Sequence, residues 1–325
     1  MTASAPTLEP PGQTTWKARL SHAPWHELAA PVGLVLLVVV FSALNDSFLT
    51  VANIGALLTA SAILILLAVG QSFVMATGGI DLSIASQVAL GAVVLGLVYS
   101  TGAGIVLAII AGILTAILTG VINGLIIGKG RITDFIVTLG MMSAAQGAAL
   151  IFSSGRPITV LDGGLLRFAS GGIGPVSWAF LVALGVAVLA HVLLFHTRFG
   201  VHVLATGGNA ASANETGVRT QWIKFAVYAV MGLCCGLAAV LLVARVGSAE
   251  PAVNTTFLLN GIAAVVLGGV KLAGGRATIL GPVTGAILLQ ALVNGLTLQG
   301  ISQFYQPLAV GVVVVAAAFL VRFQK

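Results

Sequence analysis

Long apolar stretches separated by short polar segments dominate the chain. Most approach the roughly 20 residues that a helix needs to cross the hydrocarbon core of a membrane. The pattern predicts an all-α integral membrane protein with about ten transmembrane helices. The predicted spans are Leu28–Leu44, Ile54–Ala76, Ile84–Tyr99, Ile105–Ile127, Phe135–Phe152, Trp178–Phe195, Ile223–Val243, Phe257–Val270, Ile279–Leu296 and Tyr305–Val321.

Lysine and arginine divide unevenly between the two sides of these spans. With the N-terminus inside, three basic residues are outside: Arg156, Arg167 and Arg245. Cytoplasmic loops carry such an excess, which favours an even number of spans with both termini in the cytoplasm. The inside residues are Lys17, Arg19, Lys129, Arg131, Arg198, Arg219, Lys224, Lys271, Arg276, Arg322 and Lys325.

Two regions are predicted. Residues 1–27, rich in Pro, Ser and Thr, are expected to form a cytoplasmic tail and lack the pattern of a signal peptide. Residues 28–325 form the transmembrane domain, which includes a long inside segment over residues 197–222. The middle of that segment, residues 209–216, predicts a short helix that stops at Gly217. The pattern alone leaves two roles equally open: docking another protein, or folding back on its own helix ends.

Composition excludes a soluble protein. Hydrophobic residues make up 58% of the chain and charged residues 7%, against about 25% charged in soluble domains. The net charge of +6 comes from scattered residues, so no nucleic-acid partner is expected. The adjacent Cys234 and Cys235 fit helix packing better than a disulfide or a metal site, and no metal is expected.

The segment Thr77–Ser83 places two glycines and a carboxylate between two apolar spans. A charge in hydrocarbon costs at least about 2.5 kcal/mol, so a special local structure is expected. Glycine can end the first helix, and Asp81 or Ser83 is predicted to cap the next one. Helix breaks of this kind often build transport paths.

The Gly78-Gly79 pair has an echo at Gly268-Gly269, which predicts two halves of like orientation. The echo places Asp81 and Lys271 at equivalent positions. Two separately solvated charges are favoured there over an ion pair.

Four segments together resemble the permease subunits of bacterial ABC importers for monosaccharides, the ribose-type branch. They occur in family order and spacing, and the resemblance runs from about residue 53 to the C-terminus. The segments are Gly70–Ser83, Lys129–Leu139, Thr197–Gly217 and Gly261–Gly285.

This resemblance implies a non-catalytic subunit of the bacterial inner membrane, embedded in lipid and without a cofactor of its own. Its implied partners are a cytoplasmic ABC ATPase that uses ATP, a periplasmic substrate-binding protein and a second permease copy, identical or paralogous. Residues 205–217 correspond to the helix that docks on the ATPase. The coupling residues implied are Gly207, Gly208, Asn209, Ala213, Glu215 and Gly217.

The chain departs from the family pattern at two positions. Many relatives carry an acidic residue where this chain has Asn260, and proline near Thr133. Which solute is carried therefore stays open among sugars and sugar-like compounds, including autoinducer-2.

Polar and aromatic side chains within or at the ends of the spans are candidates for a sugar path. Each could instead bond a neighbouring helix, which is worth roughly 0.6 kcal/mol on average in a membrane. The candidates are Gln71, Phe73, Thr77, Asp81, Asn123, Gln146, Phe257, Asn260, Gln290 and Asn294.

Two other function classes fit the sequence less well. An ion-coupled secondary transporter for a small polar solute normally needs several buried ionisable groups, whereas here Asp81 and His191 are the main candidates. A purely structural scaffold explains neither the glycine breaks nor the long inside segment. Gly124–Gly130 is faintly similar to a phosphate-binding loop, but its spacing is wrong and no Ser or Thr follows the lysine.

Overall fold

The computed structural model describes residues 25–322, which are almost entirely helical. The helices are α1 Trp25–Leu44, α2 Val51–Ala76, α3 Ile84–Ser100, α4 Ile105–Gly130, α5 Asp134–Ser153, α6 Gly163–Ser170, α7 Trp178–Phe195, α8 Arg198–Gly208, α9 Ala210–Glu215, α10 Thr220–Val246, α11 Thr255–Leu267, α12 Leu280–Leu298 and α13 Gln306–Arg322. Four two-residue strands accompany them: β1 Ile158–Thr159, β2 Gly172–Ile173, β3 Val176–Ser177 and β4 Ser248–Ala249.

The prediction of an all-α membrane protein is confirmed. Six helices are long and apolar enough to cross a membrane, and four shorter apolar helices complete the ten. Each coincides with one predicted span, with ends shifted by a few residues. The predicted tail lies outside the described residues up to residue 24, so the division at residue 27 stays a prediction.

The connections between the ten helices gather at two ends of the bundle. At what we call the basic end, Gly275 N–H donates to the Ala76 carbonyl over 3.0 Å. At the opposite end, β1 pairs with β4, placing Ile158 beside Ala249. The basic end holds residues 77–83, 131–133, 196–219 and 268–279, and the opposite end holds 45–50, 101–104, 154–177, 247–254 and 299–305. The connections therefore form two faces of the bundle, and which of them is cytoplasmic stays a prediction.

Glycines on α4 allow α10 to pack against it at very short range. Gly120, Gly124 and Gly128 recur every four residues and all face α10. A Cβ at Gly124 would lie 2.7 Å from Phe225 Cα, so a larger side chain would push the helices apart. Lacking a hydrophobic drive in lipid, helices associate through such close backbone contact. Helix α2 packs against α10 as well and is buried without interruption over residues 60–76.

The two Gly-Gly segments end their helices in the same way, but one residue out of the predicted register. Gly79 N–H donates to Val74 O over 3.1 Å, and Val270 N–H donates to Val265 O over 3.2 Å. The residue before each donor is a glycine with positive φ, which completes a Schellman ending. The hydrogen bonds that end each helix make Gly78 equivalent to Gly269, whereas the aligned Gly-Gly pairs predicted Gly268. The predicted pairing of positions 81 and 271 is therefore wrong.

Candidate functional site

A network of buried hydrogen bonds surrounds the carboxylate in the break between α2 and α3. Asp81 is fully buried, and its Oδ1 accepts the Ser83 N–H over 2.8 Å and the Ser83 hydroxyl. Its Oδ2 accepts from Gln87 Nε2 over 3.0 Å. Thr119 and Asn123 of α4 extend the network, donating to Gln87 Oε1 and Ser83 Oγ. Loop 77–83 is thereby fixed to α3 and α4.

The predicted side-chain cap of α3 is not present. Ser83 is the residue that precedes the helix, and its side chain makes no capping hydrogen bond. The Asp81 carboxylate accepts the N–H of Ser83 itself, so it orders the entry to the helix rather than its first turn. A carboxylate two residues before a cap forms this Asx turn readily.

The prediction of separately solvated charges at Asp81 and Lys271 is wrong for Asp81, because its carboxylate is fully buried whereas Lys271 is exposed. Burial raises the pKa of the Asp81 carboxyl, and hydrogen bonds from Ser83 and Gln87 oppose that rise. The weaker alternative, an ion pair between Asp81 and Lys271, is not formed either.

An ion pair does form at the basic end, between other residues. Lys224 Nζ lies 2.6 Å from Asp134 Oδ2, which joins the start of α10 to the start of α5. These two side chains help to line a polar cleft of about 320 Å³ that also borders α8 and α9. The inside segment therefore sits directly against the ends of membrane helices.

The inside segment consists of two short helices rather than one. The predicted helix near residues 209–216 is confirmed as α9, whose start is capped by Asn209 Oδ1 accepting from the Ala211 and Ser212 N–H groups. The preceding helix α8 was missed. Its signals were Thr197, which accepts the Gly200 N–H, and a buried face at Gly200, Val203 and Thr206.

The root of this pair of helices is packed too tightly for any side chain. A Cβ on Gly207 would overlap the Ala76 carbonyl oxygen and approach Gly275 N to 2.6 Å. The Phe199 ring lies 6.3 Å from the Phe73 ring of α2. Helix α8 is thus in direct contact with the end of α2.

Beyond this root the segment faces outward. Gly208 and Glu215 are exposed, and a Cβ at Gly208 would meet nothing within 4 Å. Ala213 is buried and holds α9 down, whereas Gly217 ends the segment at a φ of +89°. We call residues 208–217 the coupling surface.

A polar cavity of about 400 Å³ opens at the opposite end. It brings together three predicted path residues: Phe257 and Asn260 of α11, and Gln290 of α12. Its other lining residues are Ala60, Leu64, Arg245, Asn254, Thr256, Val293, Gln303, Phe304, Gln306, Pro307 and Val310. The volume lies within the range of about 300–1,000 Å³ typical of small-molecule sites.

The remaining predicted path residues lie elsewhere. Gln71 is fully buried in α2, and neither its amide oxygen nor its nitrogen has a hydrogen-bond partner among the described residues. Thr77 donates to Val74 O, Asn294 exchanges hydrogen bonds with Asn53, and Gln146 is exposed on α5. Phe73, Asp81 and Asn123 belong to the packing and the network described above.

Comparison with known proteins decides the family. The family described as "Branched-chain amino acid transport system / permease component" matches residues 53–321. The chain belongs to this permease family. It is therefore a multi-pass membrane protein and a non-catalytic subunit of a transport system.

Relatives of this permease are named for sugars and sugar-like solutes. It is 41% identical over 294 residues to a ribose import permease of Bacillus subtilis, covering 90% of this chain and 91% of that protein. It is 32% identical to an L-arabinose ABC transporter permease of Azospirillum brasilense, covering 95% and 92%. An autoinducer 2 import permease of Salmonella typhi is 31% identical, covering 88% and 83%. No solved structure matches.

Proposed function

We propose that this permease is the membrane-spanning subunit of an ATP-binding-cassette importer that carries a monosaccharide or sugar-like solute across the inner membrane. The observation that carries the proposal is the extended similarity to permeases named for ribose, arabinose and autoinducer 2. ATP is hydrolysed on a separate ATPase, a periplasmic binding protein delivers the solute, and a second permease copy completes the membrane part. The similarity supports this arrangement over an ion-coupled transporter.

The solute enters at the polar cavity of the opposite end, which is the periplasmic side. Half-buried Asn260 and Gln290 offer amide groups there that make no hydrogen bond within residues 30–316, the part of the chain with described side chains, and Phe257 provides an apolar wall. Such groups can bind hydroxyls while retaining the solute only weakly, as transport requires.

From the cavity the path follows one face of α2. Ala60 and Leu64 line the cavity. Gln71 lies further along α2 on the same helix face. Seven residues of α-helix from Leu64 to Gln71 correspond to about 10 Å of depth. The unsatisfied Gln71 amide is the polar group that the solute meets next, when the basic end opens.

The coupling surface docks on the ATPase at the basic end. Its rigid contact with α2 through Gly207 supports the role of a lever, since ATPase closure must be converted into movement of membrane helices. Gly208, Asn209, Glu215 and Gly217 lie on or beside that surface, and Ala213 anchors it from below.

Reconstitution in proteoliposomes tests the proposal. The permease alone is expected to hydrolyse no ATP and to accumulate no sugar. With its cognate ATPase and binding protein added, ATP should drive accumulation of radiolabelled sugar. Accumulation by the permease alone under a proton or sodium gradient would instead establish a secondary transporter.

A further inference from the structure

The cavity at the opposite end is positively charged. Arg245 contributes a guanidinium, and none of the lining residues is acidic. Asn254, Asn260, Gln290, Gln303 and Gln306 supply neutral amides. A site for a neutral sugar needs the amides but not the cation.

Arg245 has no ion-pair partner among residues 30–316, whose side chains the structure describes. It lies in the last turn of α10 and is exposed at the cavity. The nearest acidic residue along the chain, Glu250, accepts a hydrogen bond from the Ser248 hydroxyl and does not line the cavity. The guanidinium is therefore free to receive an anionic group.

Two helices point their N-terminal ends at the same space. Thr256 and Phe257 belong to the first turn of α11, and Gln306 and Pro307 begin α13. A helix N-terminus carries the equivalent of roughly half a positive charge. The C-terminal carbonyls of α10 are partly satisfied, because Gly247 N–H bonds Val243 O over 2.8 Å. The N-terminal ends of α11 and α13 therefore add to the attraction that Arg245 exerts on an anion.

Resting on the proposed function of this cavity as the solute entry, we propose that the permease selects a sugar acid, a polyhydroxylated solute that carries a carboxylate. The fork of Arg245 pairs with the carboxylate, for which guanidinium geometry is well matched. Asn260 and Gln290 bind hydroxyls, and Asn260 adds no negative charge that would repel the carboxylate. The apolar face of the ring packs on Phe257.

Binding to the full-length permease in lipid nanodiscs tests the proposal. The matched probes are radiolabelled D-galacturonate and D-galactose, which differ at C6 by the carboxylate. We expect galacturonate to bind at least about tenfold more tightly than galactose, the factor that corresponds to about 1.4 kcal/mol. Arg245→Gln should abolish this preference, and Arg245→Lys should keep part of it.

Arg156→Gln is the matched control, because Arg156 is an exposed arginine of the same end that does not line the cavity. It should leave the preference unchanged. Equal binding of the two probes, or binding of neither at millimolar concentration, overturns the proposal. So does an Arg245→Gln variant that loses only its affinity for the binding protein, since Arg245 would then be part of that docking surface. ATP-driven uptake of a neutral sugar without preference for the acid would sink this inference and leave the proposed function standing.

Discussion

At the scale of single residues, the buried carboxylate of Asp81 has a defined structural task. Its two oxygens accept from Ser83 and from Gln87. Asparagine offers one acceptor oxygen, so either orientation of its amide leaves a buried donor facing an NH₂ group. An unsatisfied buried donor costs about 1–3 kcal/mol.

We therefore expect Asp81→Asn to lower the thermal unfolding midpoint of the detergent-purified permease and to impair uptake by the assembled transporter. Asp162→Asn is the control, because Asp162 caps the exposed helix α6 and asparagine caps equally well. An Asp81→Asn protein with an unchanged unfolding midpoint and normal uptake would show that the carboxylate is dispensable.

Gln71, unlike Asp81, is a buried polar residue whose removal should not destabilise the protein. Its amide is buried without a partner among the described residues, so Gln71→Leu should leave the unfolding midpoint unchanged or raise it. The same variant should reduce ATP-driven uptake severalfold, because the path loses its inner polar group. Gln87→Leu, which removes a bonded amide, should be destabilised instead. Normal uptake by Gln71→Leu would exclude Gln71 from the path.

At the scale of elements, the α4–α10 contact depends on the absence of side chains. Gly124→Leu should destabilise the permease by about 1–3 kcal/mol, the usual cost of overpacking. Gly140→Leu is the control, since a Cβ at Gly140 meets nothing within 4 Å. The unfolding midpoints of the two variants can be measured by heating samples and quantifying the remaining folded protein by size-exclusion chromatography. Equal midpoints would contradict the assigned packing.

The membrane spans could be predicted from the sequence because hydropathy over about 20 residues is a strong signal. The short helix α8 could not, because its 11 residues mix basic, apolar and glycine positions. The one-residue shift between the two Gly-Gly segments could not be predicted either, because only the backbone hydrogen bonds define which residues are equivalent.

The candidate path was only partly predictable, because polarity within a span does not reveal its partner. Asn294 and Gln290 lie on the same helix, yet the first is bonded to Asn53 and the second lines the cavity. Tertiary packing determines which amide remains available for a solute.

At the scale of the whole molecule, the proposed solute entry and the proposed ATPase contact lie at opposite ends of one bundle. The polar cavity occupies one end, and the coupling surface lies at the other, rooted against α2. The same helix α2 lines the cavity at Ala60 and Leu64. Its uninterrupted burial over residues 60–76 suits it to carry movement between the two ends.

The coupling surface provides the most direct test of this account. Gly208→Arg adds a bulky charge where no neighbour within the permease is disturbed, and Thr101→Arg adds the same charge at the exposed opposite end. ATP-driven sugar uptake should be measured for both variants in proteoliposomes with the complete transporter. We expect Gly208→Arg to lose ATPase binding and to reduce uptake at least about tenfold, while Thr101→Arg retains both. Equal uptake and ATPase binding by the two variants would contradict it.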